Sequence, residues 1–216
     1  IVLAVTASLL VAGTILFLIF EWNNTMAGMN APTRFLAAFF SSVTPRTAGM
    51  NSVDTGALTP ASKLLTMILM FIGGSPGSTS GGAKTTTLFV MVAYLWTTMC
   101  GKYGIDVFGR RLKEDVVRKA ALVIGFNMLL FITGAMVIFA QQPELGFSDV
   151  LFEVISGIST VGMTTGITRS LGTVSRIVII LLMYCGRIGS LSFALSFSEN
   201  KRVVPLQQPE EEINIG

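Results

Sequence analysis

Long apolar runs separated by short polar ones make up most of this chain. Residues 1–20 carry no charge over a length that crosses hydrocarbon as one helix. Residues 64–83 and 85–101 are uncharged on either side of Lys84, residues 120–140 are uncharged, and residues 177–198 hold one charge, Arg187. Two further apolar segments, residues 33–43 and 147–158, are too short to cross a bilayer. Each is predicted to be a short helix, and each runs into a polar turn, residues 44–52 and 159–166. The pattern therefore predicts an all-α membrane protein built twice over: span, short re-entrant helix, turn, span.

The two turns repeat a tetrapeptide, Thr47-Ala48-Gly49-Met50 and Thr160-Val161-Gly162-Met163. In that register Phe39 also falls on Phe152. Internal duplication of this kind constrains the fold more than any single motif. Irregular backbone at membrane depth is tolerated only where protein buries it or where it lines a water-filled cavity. A turn whose carbonyls face a cation meets that condition, and the negative end of the preceding helix dipole aims at the same place. Thr-x-Gly after a half-span helix resembles the potassium-channel filter. Arg46, Thr47, Ala48 and Gly49 in the first copy and Ser159, Thr160, Val161 and Gly162 in the second are thus the candidate ion-binding residues. An ordinary re-entrant turn is the plainer reading of either copy alone.

Residues 60–101 are too long for one crossing, since as one helix they would reach about 60 Å against a hydrocarbon core of about 30 Å. The break is written in the sequence: Gly73, Gly74, Ser75, Pro76, Gly77, Ser78, Thr79, Ser80, Gly81 and Gly82 contain only the poorest helix formers and small hydroxyl residues. A loop of this kind across a permeation path would obstruct ions, so it is the candidate gate. Arg187, among the small residues Gly186 and Gly189, needs carbonyls, water or a carboxylate within the membrane. The loop carbonyls are its expected partners, and Lys84 is expected to play a weaker version of the same part. A nucleotide-binding phosphate loop is the rival for Gly77 to Thr85, but Ala83 separates the second glycine from Lys84 where that motif needs them adjacent.

Composition agrees with the membrane reading: 51% hydrophobic, 12% charged and a mean hydropathy of +0.70, where a soluble domain carries about 25% charge. The net charge of +3 does not point to nucleic acid. Lys102, Arg110, Arg111, Lys113, Arg118 and Lys119 share one connector, and Lys201 and Arg202 follow the last span. Positive-inside bias places that connector and the C-terminus in the cytoplasm and the two turns outside. There is no histidine, and Cys100 and Cys185 read as packing residues, so neither a metal centre nor an enzyme is expected. The expected organisation is a pore unit with a broken second span over 1–101, a connector over 102–119, a second pore unit over 120–198 and a tail over 199–216. Beginning at Ile1, the chain reads as a piece of a longer polypeptide.

The run Thr44-Pro45-Arg46-Thr47-Ala48-Gly49-Met50-Asn51, the glycine-rich loop, Ser159-Thr160-Val161-Gly162-Met163-Thr164, Gly186-Arg187-Ile188-Gly189 and the tail from Pro209 together resemble the Trk/Ktr/HKT superfamily of potassium transporters. The likeness is nearest to the membrane subunit of bacterial Ktr-type uptake systems. It implies potassium as the transported ion, with sodium as a second permeant or stimulating ion and no cofactor in this chain. It also implies that four span–pore loop–span units surround one pseudo-symmetric pore. This chain would supply the third and fourth, with the first two in the remainder of the polypeptide. The loop at 73–82 would be an intramembrane gate and Arg187 its partner. The expected surroundings are lipid of the plasma membrane, a second copy in a homodimer, and a cytoplasmic ring of nucleotide-binding regulatory subunits at the connector and tail. An alternating-access carrier with discontinuous helices is the alternative function.

Overall fold

The structure, a computed structural model, describes residues 2–78, 80–101, 105–107 and 110–189. Thr79, Lys102, the end of the span expected to reach residue 198 and the tail from 199 lie outside the described residues. Among those described, helices run over α1 (Val2–Glu21), α2 (Ala31–Val43), α3 (Pro60–Phe71), α4 (Thr85–Met99), α5 (Glu114–Gln141), α6 (Phe147–Ile158) and α7 (Thr173–Ile188). The order long helix, short helix, turn, helix occurs twice, and the second helix of the first set is split into α3 and α4.

Helix boundaries follow local chemistry. α2 begins two residues earlier than expected because Pro32 sits in its first turn, where a missing N–H costs nothing. α5 begins at Glu114, ahead of the uncharged run that starts at residue 120. Charged Arg118 and Lys119 are good helix formers, so they mark an edge of the apolar stretch rather than an end of the helix. The connector departs from an all-helical expectation, since β1 (Asp106–Val107) pairs antiparallel with β2 (Arg110–Arg111), Asp106 opposite Arg111. Outside the apolar runs the backbone can reach water, so a short ladder is as good a solution there as a helix.

α1 and α5 are long and apolar enough to cross a membrane; α3 and α4 are shorter apolar helices. Their outward faces carry large apolar side chains, among them Leu3, Ile19, Leu129 and Met136, all exposed. Water would penalise such a surface and lipid does not.

Three apolar clusters hold the helices together. Phe17, Met26, Ala37, Ala38 and Leu69 join α1, α2 and α3. Ala135, Ile138, Val150, Val154, Ile158, Leu171, Ile179 and Leu182 join α5, α6 and α7. The third cluster crosses between the halves, with Met67 and Met70 of α3 against Phe152 of α6 and Val161 and Met163 of the turn that follows. An ion pair at 3.1 Å, Lys63 to Asp149, fastens α3 to the start of α6 beside it. Glu21 closes the end of α1. Fully buried, it accepts Thr59 N–H at 2.9 Å, Thr59 Oγ1 at 2.8 Å, Asn24 Nδ2 at 2.8 Å and Thr25 Oγ1 at 2.7 Å. Thr59 is also the N-cap of α3, accepting Ser62 N–H, so one carboxylate anchors two helix ends.

Candidate functional site: two turns over a glycine-rich loop

Each short helix ends in a turn with positive φ at the same two positions. Thr47 has φ 72° and Gly49 φ 68°; Thr160 has φ 54° and Gly162 φ 88°. Among the described residues, Thr47 and Thr160 are the non-glycine residues with positive φ. A β-branched residue in that region is a strained outlier, and strain of this kind persists only where the surroundings over-determine it. It recurs here at equivalent positions in both copies.

The turns also meet. A methyl group built on Gly49 would lie 2.2 Å from the Val161 carbonyl oxygen, so only glycine permits both the backbone angle and the approach. Just beyond them, Thr55 Oγ1 donates to the Thr164 carbonyl at 2.6 Å. Of the expected ion-binding residues, Gly49 of the first copy is thus brought against Val161 and Gly162 of the second.

Their supports differ. In the first turn, Thr44 Oγ1 donates to the Met50 carbonyl at 2.5 Å and accepts Met50 N–H at 3.0 Å. The Thr44 carbonyl accepts Ala48 N–H at 3.1 Å and Gly49 N–H at 3.3 Å. In the second turn, Thr160 N–H reaches Gly157 O at 3.1 Å and Val161 N–H reaches Ser156 O at 3.0 Å, but the hydroxyl of Thr160 is engaged from elsewhere. It accepts the N–H of Gly81, in the glycine-rich loop, at 3.0 Å.

That loop joins α3 to α4 as a narrow-necked fold. Ala83 N–H donates to Phe71 O at 3.0 Å, Thr85 N–H to Gly74 O at 3.1 Å, and Gly74 N–H to Ser80 Oγ at 2.7 Å. Gly73, Ser80 and Gly81 are buried in the neck, while Pro76, Gly77 and Ser78 form an exposed tip in which Ser78 N–H reaches Ser75 O at 3.1 Å. Gly82 packs against Ser159 Oγ, directly behind the second turn. Lys84 Nζ donates to the Ser78 and Ser80 carbonyls, so Lys84 makes cationic contacts with the loop. Arg187 lies near enough to Lys84 for the two charges to repel. Its neighbour Gly186 presses on the end of α6, where a methyl group would stand 1.9 Å from Ile158 O. Arg46, at the rim of the first turn, has its Nη2 buried without a partner among the described residues.

The sequence reading passed over Glu153. It lies in α6, 6% exposed, accepts Thr168 Oγ1, and braces the segment leaving the second turn. The signal was present, since an acid inside a short apolar membrane helix is costly and asks for a reason.

Residues 1–204 match the family model described as TrkH, cation transport protein. The chain belongs to the TrkH family. Among similar family members, the potassium/sodium uptake protein NtpJ of Enterococcus hirae is 40% identical over 99% of this chain and 49% of its own length. Ktr system potassium uptake protein B of Vibrio alginolyticus is 34% identical over 100% of this chain and 48% of its own. The crystal structure of the potassium transporter TrkH from Vibrio parahaemolyticus has the same fold, with a TM-score of 0.68 and 21% identity over 94% of this chain and 43% of that one. The chain therefore spans about half the length of the curated relatives it matches. The family is one of membrane cation transport proteins, not of enzymes.

Proposed function

We propose that this segment forms one half of a channel-like potassium pathway in the plasma membrane. In this reading it supplies two of four pore units, resembling the third and fourth, and the remainder of the polypeptide supplies the others. Residues 46–49 and 159–162 are the filter; residues 73–82 with Lys84 and Arg187 are the gate. Sodium is a second permeant or stimulating ion. The carrying observation is the pair of adjoining turns with matching positive φ at Thr47 and Gly49 and at Thr160 and Gly162. Backbone oxygens held by strained, hydrogen-bonded turns can replace an ion's water shell without reorganising when it arrives. Both turns follow the C-terminal ends of short helices, whose partial negative charge favours a cation.

The alternating-access reading draws support from the unwound segment between α3 and α4, a feature of carriers as well. The channel-like reading is favoured because span order and positive-inside bias would put the two candidate filter turns on the side away from the basic 102–119 stretch, while Gly82 of the broken helix packs behind the second turn as a separate element. The same polarity puts the connector and the C-terminus in the cytoplasm, where the basic cluster suits docking of a regulatory ring. The exposed apolar faces suit lipid and a second copy of the complete subunit.

The test is uptake of potassium and sodium by transporter-deficient cells carrying the complete polypeptide with Gly162→Ser. Open space surrounds a Cβ at Gly162, so the change acts through the backbone angle of φ 88° rather than through a clash. A fall in the potassium-over-sodium ratio is expected. Equal relative uptake of the two ions would remove residues 159–162 as the filter.

A further inference from the structure

Glu153 occupies a position that has no need of charge. Its neighbours Phe152 and Val154 are fully buried, and in the register that aligns Thr47 with Thr160 its counterpart on α2 is Phe40. The first short helix thus forms with an apolar residue where the second carries a carboxylate. Enclosing a carboxylate is costly unless every lone pair is engaged. Here Oε1 accepts Thr168 Oγ1, while Oε2 is buried without a partner among the described residues.

With an ionised Glu153 as the terminal acceptor, the hydrogen bonds beyond it run in one direction. Thr164 Oγ1 accepts the Gly166 N–H at 3.0 Å and lies 2.8 Å from Thr168 Oγ1. Each hydroxyl has a single proton. Thr168 spends its proton on the carboxylate, so Thr164 must donate to Thr168. Every donor from Gly166 onward is then polarised toward Glu153, and such a chain is mutually strengthening. Thr164 is separately tied to the first half through its backbone, where its carbonyl accepts Thr55 Oγ1, itself the acceptor of Asn51 Nδ2 at 3.2 Å.

The geometry points to Glu153 as a positioning residue for ion selection: through Thr168 and Thr164 its carboxylate fixes the backbone leaving the second filter turn and so sets the preference for potassium over sodium. This rests on the reading of residues 159–162 as a filter. Glu153 touches no ion; a charged acceptor simply holds the hydroxyl chain more tightly than a neutral one.

The experiment compares potassium and sodium uptake, per inserted protein, for the complete polypeptide carrying Glu153→Gln, Thr168→Val or Thr168→Ser, with Gly162→Ser as the benchmark. Glu153→Gln and Thr168→Val should each lower the potassium-over-sodium ratio about fivefold, mainly through a higher KM for potassium. Thr168→Ser keeps the hydroxyl and should keep the wild-type ratio. If Gly162→Ser lowers the ratio and neither Glu153→Gln nor Thr168→Val does, the inference fails and the filter stands. A ratio lowered equally by Thr168→Ser overturns it too, since packing rather than the hydroxyl chain would then be at work. If Gly162→Ser has no effect, the filter reading falls and this inference with it. Should Glu153→Gln fail to insert, the contrast between Thr168→Val and Thr168→Ser decides alone.

Discussion

The two turns share positive φ at two equivalent positions and keep it in two ways. The first is held from within: Thr44 brackets Met50 with its hydroxyl and gathers Ala48 and Gly49 with its carbonyl. At the equivalent position the second copy has Gly157, which has no hydroxyl to offer. Its strained Thr160 keeps backbone bonds within the turn, but its hydroxyl is engaged from a distance, by the Gly81 amide of the glycine-rich loop. A conformation that costs roughly 1–2 kcal/mol at a β-branched residue needs a restraint in either case. The difference teaches that side-chain support of the first turn comes from a few consecutive residues, while that of the second comes across the tertiary fold. Whatever moves the loop is felt first at Thr160.

This contrast can be tested by substitution. Gly49→Ala should have the greatest effect, because it strikes where the two turns meet. It combines a left-handed backbone angle with overlap onto Val161 O, for a combined cost of about 3 kcal/mol or more. Both potassium uptake and its ratio to sodium should fall sharply, whereas Gly162→Ala, with open space around it, should be milder. Equal effects of the two alanines would show that contact between the turns does not matter.

Thr44→Val and Gly81→Ala come next, each aimed at one turn. Losing both Thr44 hydroxyl bonds should cost about 1–3 kcal/mol. Gly81→Ala would push a methyl group within 2.9 Å of Ile158 O and displace the Thr160 hydroxyl. If the supports are separate, the shifts in ion ratio from these two changes should add as free energies in the double variant; strong non-additivity would mean that the turns respond as one unit.

Lys84→Met should be the mildest. It removes the side-chain donor to Ser78 O and Ser80 O and so loosens the loop, and it should raise flux modestly with little change in ion ratio. A drop in flux with normal insertion would count against the loop as an obstruction.

The legibility of these features in the sequence varied with the range of the interaction behind them. α6 runs over Phe147–Ile158 as its apolar pattern indicates, and the helix breaks where Gly73 to Gly82 can no longer sustain one. Both are decided by neighbours in the chain. The duplicated Thr-x-Gly turns were visible for the same reason. By contrast, the advance of α5 to Glu114 was hidden because charge was read as the end of a helix. The hold of Lys84 on the Ser78 and Ser80 carbonyls depends on how the loop folds at its neck, which periodicity does not encode. The pairing of Lys63 with Asp149 and the hydroxyl chain ending on Glu153 join residues far apart in sequence, and a single sequence carries no register for them.

The seam of Met67, Met70, Phe152, Val161 and Met163 takes side chains from both halves of the chain. Close-packed interiors register even one added or lost methylene. A change of volume on either side is therefore felt on the other, and neither half can be repacked as if it stood alone.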